Sequence, residues 1–81
     1  KGEMNMCLAI PAKVIAIDGY LAEVECFGNT RKVGLTLRPD VKLGDYVMVH
    51  AGFVIEIVDE KFAMESQELW KEMIKHEQHD E

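Results

Sequence analysis

The 81-residue chain is short of cysteine and proline, with two of each. Cys7 and Cys26 supply neither a disulfide framework nor a Cys-x-x-Cys zinc knuckle. In a reducing cytosol both stay thiols. Positive charge is in deficit: nine Lys and Arg face fifteen Asp and Glu, for a net charge of −6. That balance argues against a surface built for phosphates, which needs clustered basic residues. The six aromatics, three Phe, two Tyr and one Trp, are too thinly spread for a base-stacking groove. No apolar run approaches the roughly 20 residues of a membrane span. No basic region leads into a long apolar one, so no secretory signal is read. Gly-x-Ser-x-Gly, a phosphate-cradling glycine loop and His-Glu-x-x-His are all missing. Without a nucleophile–base–orienter set, nothing points to substrate turnover, and the chain reads as a non-enzyme.

What is present fits one small domain over residues 6–81. Residues 1–5 precede Met6 and read as a tag remnant or an N-terminal extension. Hydrophobic content of 48% is that of an ordinary globular protein. Leu8 to Ile17 is apolar and β-branched, which predicts a strand. Pro11 lacks a ladder donor, so the strand is at an edge or bends there. Asp18-Gly19 is a hairpin signal. From Tyr20 to Phe27 the residues alternate. Ala22, Val24 and Cys26 share one face and Leu21, Glu23 and Glu25 the other, so Cys26 is expected to point into the core. Gly28-Asn29 marks a second turn. Thr30 to Leu37 predicts a third strand with Arg31, Val33 and Leu35 on one side. Arg38-Pro39-Asp40 breaks it, and Leu43-Gly44-Asp45 is another turn. Tyr46–His50 and Phe53–Val58 complete five strands, with Gly52 read as a bulge or sharp bend. Five short strands at this spacing predict a mainly β fold, a small OB-like barrel over about 7–58.

At Asp59 the period changes to that of a helix, over about 60–76. Asp59 suits the N-cap and Glu60 the first turn. Phe62, Leu69, Trp70, Met73 and Ile74 fall on one stripe. That stripe is expected to pack on the barrel, the alternative being a grip on a partner protein.

Three places carry possible chemistry. Met6-Cys7 reads as a start-codon context, and removal of the Met would leave Cys7 beside a free α-amine. A nearby positive charge favours the thiolate, a soft ligand suited to iron, zinc or cuprous copper. The competing reading is a small core hydrophobe, the commonest use of a cysteine. His50 ends the fourth strand on the face opposite Val47 and Val49. Its imidazole is either a metal or proton site or a ring hydrogen-bonded at the barrel rim. His76 and His79 are three apart near the helix end and lack a third ligand.

Two stretches carry a family resemblance. Met6-Cys7-Leu8-Ala9-Ile10-Pro11-Ala12-Lys13-Val14 resembles the opening signature of the HypC/HupF family of hydrogenase maturation chaperones. Gly44-Asp45-Tyr46-Val47-Met48-Val49-His50-Ala51-Gly52-Phe53 resembles its second signature. The resemblance implies an OB-like barrel with a C-terminal helix and a cytoplasmic, non-catalytic chaperone. It implies a complex with a HypD-type iron–sulfur protein, on which iron acquires cyanide and carbon monoxide. The Fe(CN)2CO group would then be escorted to the large-subunit precursor of a [NiFe]-hydrogenase and carried only transiently. By the same resemblance Cys7 binds the iron and holds the partners, and His50 is an auxiliary ligand or partner contact. Leu8, Ala9, Ile10 and Pro11 belong to the partner-binding stretch. The competing functions are a metal-free interaction adaptor and an OB-fold nucleic-acid module.

Overall fold

The computed structural model describes residues 10–80, with side chains described through Ile74. Strands β1 (Ala12–Asp18), β2 (Leu21–Cys26), β3 (Asn29–Gly34), β4 (Tyr46–His50) and β5 (Phe53–Val58) are followed by helix α1 (Glu60–Asp80). The strands close a barrel in the order β1-β2-β3-β5-β4, the OB-like architecture expected. Closure is made on one side by β1 against β4, with Ala12 opposite Val47. On the other side β3 meets β5 in parallel at Gly34 and Phe53. A Cβ on Gly34 would lie 2.8 Å from the Phe53 ring, so only glycine lets the ring lie against β3 there.

Alternation explains the interior. Ala12, Val14, Ala22, Val24, Val33, Leu35, Val41, Val47 and Val54 are buried, with Cys26, Val49 and Ile57 packed against them. The core is built from small and β-branched side chains, which suit a narrow, twisted barrel. Two bulges break the alternation. Ile15 is the extra residue of β1 against β2, and Ile55 the extra residue of β5 against β4. Each is turned outward and exposed.

Several expected boundaries move. Among the described residues the first strand starts at Ala12, immediately after Pro11, because proline has no N–H to give the ladder; Leu8 and Ala9, where it was expected to begin, lie outside them. The third strand ends at Gly34, although Leu35 still enters the core. The second turn is Phe27-Gly28, one residue earlier than the glycine–asparagine pair suggested. Cys26 pairs with Asn29 across it, and both turn residues have positive φ. Glu25 Oε2 accepts from the Gly28 N–H at 2.8 Å and braces that unusual backbone. Gly52 is not a bulge. Ala51 and Gly52, with φ of 56° and 85°, form the two-residue turn between β4 and β5. This is the left-handed pair that matches strand twist in a tight hairpin.

Asp59 caps α1 as expected, its Oδ2 accepting from Lys61 and Phe62 N–H at 3.1 and 3.3 Å. The helix runs on to Asp80, beyond the expected end at residue 76. The expected packing stripe is displaced. Ala63 is fully buried and Ser66, Gln67 and Trp70 are half-buried. Phe62, Leu69 and Met73 are 52%, 63% and 42% exposed, and Ile74 is exposed at the edge. The one fully buried helix residue with a described side chain is thus the small Ala63, and the larger apolar residues lie to its flank.

Candidate functional site

The fold brings the described parts of both signatures to one edge of the barrel. In the first signature, Val14 donates its N–H to the Asp45 carbonyl at 2.8 Å. Its own carbonyl accepts from Gly44 N–H at 2.9 Å. Lys13 pairs with Tyr46, and its Nζ lies 6.0 Å from the centre of that ring. The glycine–aspartate turn of the second signature is itself braced, with Asp45 Oδ2 accepting from Lys42 N–H at 2.8 Å. The positive φ of Gly44, 90°, explains the glycine. Since β1 and β4 are antiparallel, the start of β1, next to Pro11, lies at the end of β4 that carries His50.

A cleft of about 290 Å³ opens at that end. Ile10 and Ala12 line it from the first signature, and Val49 and Ala51 from the second. Cys26 and Arg31 stand between them. The walls are mainly apolar, and Arg31 supplies the charge.

Among the expected site residues, Cys7, Leu8 and Ala9 lie outside the described residues. Ile10 is half-buried at the cleft and Pro11 is fully buried. His50 is exposed at the end of β4, immediately before the Ala51-Gly52 turn. Its side chain makes no hydrogen bond to another described residue. His76 and His79 lie within α1, with side chains outside those described.

Cys26 is the core-facing residue expected, half-buried against the interior. Burial, and secondarily the neighbouring Glu25 carboxylate, raise its thiol pKa above the ordinary value. It therefore stays protonated at neutral pH and serves as a weak donor. That S–H points to the Pro11 carbonyl at 3.5 Å.

Two residues reach the site that the sequence did not single out for it. Arg31 shares a face with Val33 and Leu35, and an arginine in an inward-facing row was the available signal. Gln67 comes from α1 and donates its Nε2 to the Pro11 carbonyl at 2.7 Å. Its position one turn after Ala63 hinted at the buried side of the helix, but nothing local named its acceptor.

Comparisons with known proteins identify the family. The model of the HupF/HypC family matches residues 6–70. A protein named hydrogenase maturation factor HypC from Helicobacter hepaticus is 40% identical over 78 residues, covering 94% of this chain and 91% of its own. The HypC of a Synechocystis species is 43% identical over 67 residues, covering 75% and 88% respectively. That of Azotobacter chroococcum is 38% identical over 69 residues, covering 84% and 82%. With a family model spanning both signatures and relatives aligned along most of their length, this chain belongs to the HupF/HypC family.

Proposed function

We propose that this protein is a metallochaperone in the maturation of [NiFe]-hydrogenases. It forms a complex with a HypD-type iron–sulfur protein on which the Fe(CN)2CO group is assembled. It then escorts that group to the hydrogenase large-subunit precursor, in the cytoplasm and without turning over a substrate itself. The family and the names of its relatives support the role in hydrogenase maturation. The observation that carries the finer reading is the hydrogen-bonded union of the two signatures, which puts the strand leading from Cys7 beside the one ending at His50.

In this reading the iron group is cargo. Cys7 supplies a soft thiolate suited to iron bearing cyanide and carbonyl. The exposed imidazole of His50 is an auxiliary ligand or a partner contact. Leu8, Ala9, Ile10 and Pro11 extend the partner-binding stretch around Cys7. One or two protein ligands permit handover, whereas a closed four-ligand site holds its metal.

The deciding experiment is anaerobic co-expression with the HypD-type partner, followed by infrared spectroscopy of the purified complex. Cyanide and carbonyl stretches are expected in the parent protein and absent with Cys7→Ala, whose isolated fold is unchanged. Undiminished co-purification of Cys7→Ala with the partner, stretches included, counts against the carrier role. Replacement of His50 is expected to lower iron loading more than melting temperature; an equal loss of both makes the residue structural.

A further inference from the structure

Pro11 lies at the junction between the barrel and the segment that bears Cys7. Its side chain is fully buried, and its ring fixes φ near −65°. Its carbonyl is held from two directions. Gln67 Nε2 donates from α1 at 2.7 Å, and the Cys26 thiol donates from β2 at 3.5 Å. These donors lie 56 and 15 residues away in sequence, so the joint exists only in the folded chain. The acceptor needs such partners because β1 begins one residue later and the ladder does not reach it.

The bond to Gln67 is also the one polar side-chain contact between α1 and the barrel among the described residues. On the same helix Glu68 and Lys71 pair with each other at 3.7 Å, along the exposed face. Gln67 is thus the polar group that the buried side of the helix directs at the barrel.

We propose that Gln67, seconded by Cys26, is a positioning residue for Cys7: by clamping the Pro11 carbonyl it fixes the Ile10–Pro11 joint to which the chain bearing Cys7 is attached. The proposal rests on the carrier role of Cys7 given above. Three residues lie between Cys7 and Pro11, four steps of chain that span at most about 14 Å. Over so short a tether, the direction at the joint governs where a thiol can be presented. A joint held in advance spares the complex the cost of ordering it on association.

The test uses the full chain and its purified HypD-type partner. Gln67→Leu removes the donor, Gln67→Glu replaces it with a group that only accepts at neutral pH, and Gln67→Lys retains a donor of similar reach. Three properties are measured: backbone amide relaxation at Ile10 and Ala12, melting temperature, and affinity for the partner. In the Leu and Glu variants the Ile10 amide is expected to lose order and affinity to fall roughly three- to tenfold, the scale of one net hydrogen bond. Melting temperature is expected to fall by no more than the few degrees that one net hydrogen bond accounts for, and Gln67→Lys to restore amide order and affinity together. Unaltered amide order in Gln67→Leu overturns the clamp. A loss of affinity that merely follows a fall in melting temperature, or that Gln67→Lys leaves unrepaired, also overturns it. Cys7→Ala is run alongside to separate the two ideas. Full affinity in that variant overturns the carrier role, and the positioning role with it, even where the amides respond as expected.

Discussion

The barrel and the helix use their apolar residues in opposite ways. The barrel region closes nine buried apolar side chains into one interior. Over the helix residues with described side chains, Ala63 alone is fully buried, while Phe62, Leu69 and Met73 stand in solvent. Burying a large apolar side chain stabilises a fold by about 1.5–3 kcal/mol. The barrel therefore holds most of that stabilisation and the helix rather little. The helix contributes something different, a cap at Asp59, a small buried contact at Ala63 and a directed amide at Gln67. An attached element can position a neighbouring segment without being the source of the fold's stability.

Substitutions that remove one feature from each region sharpen this contrast. The largest effect is expected in the barrel. Val47 is fully buried beside the β1–β4 seam, and Val47→Ala is expected to lower unfolding free energy by on the order of 2 kcal/mol, read from urea melts. A much smaller loss would mean that the seam is slack. Next comes the cap. Asp59→Ala leaves two helix N–H groups without their acceptor and is expected to cost about 1 kcal/mol. Circular dichroism should report the loss chiefly in the helical signal, with the barrel's transition little moved. Smallest is Leu69→Ser on the exposed flank, expected to shift stability by no more than about 0.5 kcal/mol. A change as large as that of Val47→Ala would break the contrast and show Leu69 to be covered in solution.

Much of the barrel was legible from alternation and turn residues. Tyr46–His50 and Phe53–Val58 have the expected limits because each is a β-branched run bounded by turn chemistry. The inward set Ala22, Val24 and Cys26 also follows from period two. The bulges at Ile15 and Ile55 did not announce themselves. An extra residue is defined by the register of the strand opposite, which local sequence does not contain. The turn at Phe27-Gly28 was misplaced by one because an aromatic residue with positive φ is a poor expectation. Helical period identified which residues of α1 share a face. It could not say how much barrel there was to cover, so the buried strip centres on Ala63 and Gln67 rather than on the larger side chains.

At the site, the two signatures were visible as separate strings, and their contact was not. Sequence by itself determined the strand and helix periods, the acidic surface, the inward thiol at Cys26 and the family to which the motifs belong. Those follow from side-chain chemistry at short spacing. Only the tertiary structure decided that Val14 bonds to the Gly44-Asp45 turn, and that Cys26 and Gln67 meet at the Pro11 carbonyl. Such meetings depend on barrel closure and helix approach, which bring distant residues within hydrogen-bonding reach and leave no periodic trace along the chain.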